Sequence, residues 1–114
     1  MMPSKTAQRM AILREKLGRC RCASCGVWMS SPPWLPYAQA PDNTRTKGHV
    51  LPKVMRTEKH LDCIWVWMCA KCNKEQGGLT LYEWYVRLGQ AGDPRAPVVG
   101  SICEMLRDAN VRYR

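Results

Sequence analysis

Four cysteines carry the plainest chemistry in this sequence: Cys22-Ala-Ser-Cys25, followed by Gly26, and Cys69-Ala-Lys-Cys72, followed by Asn73. Each CxxC turn sets two sulfurs on one side of an ion and leaves backbone amides free to hydrogen-bond them. Two such turns complete the tetrahedral shell that zinc prefers in a structural site. An odd total of seven cysteines and the absence of a secretion signal favour metal thiolates in a reducing compartment over disulfides. Cys20 precedes Cys22 by one intervening residue, so the register of the first pair stays open between them. Cys63 and Cys103 sit in apolar settings and read as small buried hydrophobes. A second reactive group lies between and just after the knuckles: Gly48-His49-Val50-Leu51-Pro52-Lys53, then Asn73-Lys74. An imidazole titrating near neutrality is the usual carrier of a proton. His49 reads equally as a strand-end histidine bonded to backbone, and Asn73 as a residue that stiffens the knuckle.

The frame for these groups follows from periodicity and caps. Ser4 can cap a helix reaching residue 17, with Ala7, Met10, Leu13 and Leu17 on one face, Arg9 and Lys16 off it, and Gly18 as its stop. Residues 30–41 hold Pro32, Pro33, Pro36 and Pro41 and read as an extended surface loop pinned by Trp34 and Tyr37. A short strand ends near His49, where Pro52 closes the run. Residues 63–68, β-branched and aromatic, give the strongest strand signal, and the two strands can pair as a hairpin. Residues 69–76 then form a short helix ended by Gly77-Gly78, and Thr80 caps another reaching residue 88. Pro97 opens a last helix to about residue 111, with Val98, Ile102, Met105 and Leu106 on its apolar side. Trp65, Trp67, Trp84 and Tyr85 are expected in the core, whereas Trp28 and Trp34 are free to stack on a partner. His60 reads as an exposed turn residue.

A length of 114 residues with 46% hydrophobic content predicts one domain over residues 1–114. It divides into a basic helix at 1–18, a zinc core at 19–78 and C-terminal helices at 79–114. No apolar run approaches the roughly 20 residues needed to cross a bilayer, and the N-terminus lacks a signal core, so a cytoplasmic protein without membrane contact is expected. Eighteen Lys and Arg against nine Asp and Glu leave a net charge of +9, the electrostatic footprint of a protein with a polyanionic partner. The stretch 1–25 concentrates this charge, with six basic residues against Glu15. Nucleic acid is the expected partner; no lipidation motif or apolar interfacial helix supports a lipid surface.

The order of these features resembles the HNH endonucleases, including the phage endonuclease VII type. In that family a CxxC pair precedes a strand carrying a His followed by hydrophobic-Pro, and a CxxCN run with a nearby Lys and Gly follows. The resemblance covers roughly residues 22–78, about half of the chain. It implies an α+β fold, a small zinc-stabilised ββα-metal domain flanked by N- and C-terminal helices, and a metal-dependent DNA endonuclease encoded by a phage or mobile element. By this resemblance His49 is the general base that activates water and Asn73 helps to hold one catalytic Mg²⁺ or Mn²⁺. Cys22, Cys25, Cys69 and Cys72 would hold structural Zn²⁺, and Lys53, Lys71 and Lys74 would grip flanking DNA phosphates.

Two departures qualify the match. Gly48 stands where the family places a cation-binding Asp, Glu or His, and residues 64–67, Ile-Trp-Val-Trp, lack the family's middle Asn. Asp62 or Asp42 is the candidate substitute carboxylate. A second expectation therefore stands beside the first: an inactive HNH-like zinc module that binds DNA, or docks on a host nuclease complex as an inhibitor or regulator. A redox zinc protein fits the +9 charge poorly.

Overall fold

In the computed structural model, which describes residues 4–32 and 36–111, helix α1 spans Lys5–Leu17. The Ser4 hydroxyl accepts from the Ala7 amide at 3.1 Å, and Gly18, whose amide donates to the Arg14 carbonyl, ends the helix as its sequence predicts. Met10 and Leu13 are its buried residues. The chain then forms the first knuckle, a 3-10 turn at Tyr37–Gln39 and strand β1, Arg45–His49. Two further 3-10 turns, Lys53–Met55 and Lys59–Cys63, lead to strand β2, Trp65–Cys69. Three helices complete the order: α2, Ala70–Gln76; α3, Leu81–Gln90; and α4, Ala96–Asp108. Trp34 lies outside the described residues.

β1 and β2 pair antiparallel, with Arg45 opposite Cys69 and His49 opposite Trp65. Because directly opposed residues share a face, one face of this hairpin carries Gly48, Val66 and Met68, all buried, and the other carries Arg45, Lys47, His49, Trp65 and Trp67. The hydrophobic core gathers the buried hairpin face, Met10 and Leu13 of α1, and Trp84, Leu88, Val99, Ile102 and Leu106 of the α3–α4 pair. A reciprocal capping box at Thr80 and Glu83 starts α3, and the Leu81 amide donates to the Val50 carbonyl at 2.8 Å, tying that helix to the end of β1.

Several details differ from the sequence expectation. Only Trp84 of the expected core aromatics is buried outright. Trp65 and Trp67 are half-buried on the outer hairpin face, packed edge-to-face at 4.6 Å. Arg14 lies 3.9 Å and Lys47 4.8 Å from the Trp65 ring, and Arg45 lies 5.3 Å from Trp67, so cations cover what an apolar core would otherwise have to cover. Cys63 belongs to a 3-10 turn and not to the strand; its half-buried thiol donates to the His60 carbonyl at 3.0 Å. Cys103 is likewise half-buried. Helix α4 ends at Asp108, ahead of the expected residue 111.

Candidate functional site

The first knuckle is a miniature hairpin. The Cys22 amide donates to the Val27 carbonyl at 2.9 Å, and the Gly26 amide returns to the Cys22 carbonyl at 2.9 Å. Gly26 has φ of 76°, a left-handed conformation that side chains resist, which is why glycine follows Cys25. The Ala23 amide donates to the Trp67 carbonyl at 3.0 Å and so fixes this turn to β2. The second knuckle needs no loop: Cys69 ends β2 and also caps α2, its sulfur accepting from the Cys72 amide at 3.4 Å.

The sulfurs of Cys22, Cys25, Cys69 and Cys72 all lie within 4.8 Å of one another. Four zinc–sulfur bonds of about 2.3 Å in a tetrahedron require sulfurs about 3.8 Å apart, and Cys25 and Cys69 stand at 3.8 Å. The cluster can therefore hold one metal ion such as zinc. Cys20 is exposed and lies outside it, which resolves the register in favour of Cys22. As free thiols the group is in conflict. Hydrogen bonds from Cys72 and Ser24 draw Cys22 down to about 3, while burial raises Cys69 to about 11, and the Cys22 interaction followed by burial raises Cys72. One thiolate thus discourages the next, and a divalent cation removes that conflict.

A supporting residue that sequence spacing did not reveal is Arg95. Its Nη1 donates to Cys72 Sγ at 3.4 Å and to Glu75, while Nε and Nη2 make a bidentate pair with Asp93 at 3.0 and 2.8 Å. A four-thiolate site carries excess negative charge, and a guanidinium on one sulfur offsets it.

Beside the cluster lies an open cleft of about 410 Å³, into which Lys47, His49, Lys53, Arg56, Asn73 and Lys74 all face. Among the described residues, no Asp or Glu contributes to its lining. α2 builds one wall by sealing the free edge of β1: Asn73 Nδ2 donates to the Lys47 carbonyl at 3.1 Å and to Thr46 Oγ1 at 3.0 Å, and Gln76 Nε2 donates to the His49 carbonyl at 2.9 Å. The carbonyl contact requires the amide nitrogen there, so Asn73 Oδ1 is the atom left for a ligand. Gln76 Oε1 is buried with no hydrogen-bond partner among the described residues. His49 is held below the ordinary histidine range by burial and then by the Arg56 charge, partly countered by a hydrogen bond to the Asp62 backbone. Its imidazole is accordingly neutral near pH 7.

The structure brings His49, Asn73, Lys53 and Lys74 to this one cleft and leaves Lys71 elsewhere, on the side of α2 near Asp93. Tyr37 does not pin its loop inward; it is 49% exposed and lines the cleft, with Lys74 Nζ 5.4 Å from its ring. Of the two candidate substitute carboxylates, Asp62 lies close enough to act on His49 but is bound to Arg56 Nε at 2.9 Å, and neither Asp62 nor Asp42 lines the cleft. At Gly48 a Cβ would meet Met68 Cβ at 2.9 Å and its Cε and Sδ at 3.0 Å, so the thioether fills the space a side chain there would need.

The fold and site define a small α+β domain with a four-cysteine cluster able to hold a metal ion and a cationic cleft alongside it. No helix among the described residues is long and apolar enough to cross a membrane. Comparison of the chain with protein-family models, curated proteins and solved structures gives no significant match.

Proposed function

We propose that this chain is an HNH-like module, stapled by structural Zn²⁺ at Cys22, Cys25, Cys69 and Cys72, that holds the phosphodiester backbone of DNA in the cleft around His49 and Asn73. The observation that carries the reading is the cleft's charge: Lys47, Lys53 and Lys74, with Arg56 paired to Asp62, and no carboxylate among the described lining residues. Such a lining attracts a phosphate and repels a bare divalent cation. Strand, His, strand, knuckle and Asn succeed one another as in the HNH resemblance, which is why DNA is preferred over other polyanions. A module that only binds would act by occupying DNA or by docking on a host nuclease complex as an inhibitor or regulator.

Hydrolysis is the second reading, favoured by the state of His49. A neutral imidazole oriented by a backbone hydrogen bond is fit to take a proton from water. Asn73 Oδ1 is the neutral oxygen that the cleft offers to Mg²⁺ or Mn²⁺, with DNA phosphate oxygens and water completing the shell.

Fluorescence anisotropy of labelled DNA against salt tests the first reading. Lys53→Ala and Lys74→Ala should each reduce the logarithmic salt slope by about one, and Lys71→Ala should leave it unchanged. Equal effects from all three lysines, or no salt-sensitive binding, would overturn the cleft assignment. Incubation of plasmid and branched DNA with Mg²⁺ or Mn²⁺ then separates the readings. Nicking abolished by His49→Ala establishes the endonuclease; binding without nicking establishes the module that only binds.

A further inference from the structure

Between the two cleft cations Lys53 and Arg56 the chain makes a short 3-10 turn that turns two apolar side chains outward. Val54 is 86% exposed and Met55 48% exposed. Val54 is the most exposed large hydrophobic side chain among the described residues, and Met55 lies beside it. We propose that Val54 and Met55 form a wedge that enters the base stack of DNA whose backbone lies in the adjoining cleft, which gives the module a preference for base steps that open easily. The proposal rests on the DNA-binding reading.

Three observations support this partner over a protein. The flanking residues Lys53 and Arg56 both line the cleft, so the turn adjoins the place where phosphates would be gripped. Arg56 is held by its bonds to the Leu51 carbonyl at 2.8 Å and to Asp62 at 2.9 Å, which anchors the turn against the body of the protein. An inserted side chain needs that rigidity, because a mobile turn would yield before the bases did. Size decides the rest. Two side chains on one turn fall far below the roughly 800 Å² per partner of a stable protein interface, but they match the gap opened between two base pairs by known apolar wedges.

The test uses the full zinc-loaded chain and duplexes carrying 2-aminopurine, a base analogue that brightens when unstacked, either fully paired or beside a mismatch. Wild type should brighten the probe several-fold on binding and should favour the mismatched duplex by roughly ten-fold. The Val54→Ala/Met55→Ala variant should still bind with the same salt slope, but lose the brightening and the preference. Both positions are exposed enough for the variant to fold, and circular dichroism would verify that. Binding with a flat 2-aminopurine signal overturns the wedge and leaves the cleft standing. Absence of salt-sensitive binding overturns both. Brightening that persists in the double variant also overturns the wedge, because something else then opens the stack.

Discussion

Gly48 offers the sharpest test of how this site is built. Its ideal Cβ would lie 2.9 Å from Met68 Cβ and 3.0 Å from Met68 Cε and Sδ. The thioether can swing aside, but Met68 Cβ moves only with strand β2. Overpacking of this kind costs about 1–3 kcal/mol, and the narrower unfolded ensemble of alanine returns about 0.4–1 kcal/mol of that. Gly48→Ala should therefore lose about 1–2 kcal/mol net, or roughly 4–8 °C in Tm for a domain of this size. Gly48→Asp should lose considerably more, since it adds a carboxylate among the buried side chains Val66 and Met68. In a Met68→Ala background two of the three close contacts vanish, so the Gly48→Ala penalty should shrink by at least about 0.5 kcal/mol. Urea and thermal unfolding of the four zinc-loaded proteins measures this cycle. If Gly48→Ala matches wild type in stability, then Met68 does not fill the position; an equal loss in both backgrounds would assign the penalty to the Cβ of residue 68 and refute a role for the thioether.

Three further outcomes follow from the same geometry. Chelation, or Cys22→Ser, should unfold the domain cooperatively, and zinc analysis should give one ion per chain; a chain that stays folded with intact near-ultraviolet circular dichroism after metal removal would refute a structural role. Arg95→Ala should weaken metal binding by about 10–100-fold through loss of its bond to Cys72 Sγ, measured by competition with a chromophoric chelator, and unchanged affinity would remove Arg95 from the site. His49 has a folded pKa depressed by burial, so on acidification the unfolded chain takes the proton first. The stability contributed by the neutral ring is full above about pH 6.5 and is lost as pH falls from there through the lower folded value. The stability difference between wild type and His49→Gln should accordingly shrink between about pH 7 and pH 5, and a flat difference over that range would contradict the burial of the imidazole.

Local rules made much of the frame legible. Ser4 and Gly18 bracket α1, Thr80 and Glu83 announce α3, and the two CxxC spacings identify the four residues that the fold gathers within 4.8 Å. What escaped the sequence depends on register and helix phase. Trp65 and Trp67 alternate with the buried Val66 and Met68, and only the pairing with β1 shows that cations stand across from them. Lys71 and Lys74 are both surface lysines of α2, yet Lys74 shares the cleft with Asn73, while Lys71 and Glu75, one turn apart, face the Asp93–Arg95 pair. Arg95 comes back to Cys72 only because the α3–α4 hairpin returns the chain to the knuckle, a long-range closure that no spacing encodes. Tyr37 differs from its expectation for a related reason: an aromatic in a proline-rich loop reads as an anchor, whereas the fold sets Lys74 beside its ring in the cleft.

The two halves of the site depend on each other through α2. This helix has only seven residues, too few to persist alone, and its first turn is fixed by two of the thiol ligands, Cys69 as cap and Cys72 within it. The next positions do the work at the cleft: Asn73 and Gln76 seal the free edge of β1 by taking the carbonyls of Lys47 and His49. Release of a metal ion from the cluster would free the start of α2, and with it the clamps that hold His49 and Lys47 facing one space. Metal affinity and polyanion affinity must then be linked with the same sign. Since such coupling is reciprocal, on the proposed function DNA should raise the affinity for the metal, measured at equilibrium against a competing chelator, by the same factor by which the metal tightens DNA binding.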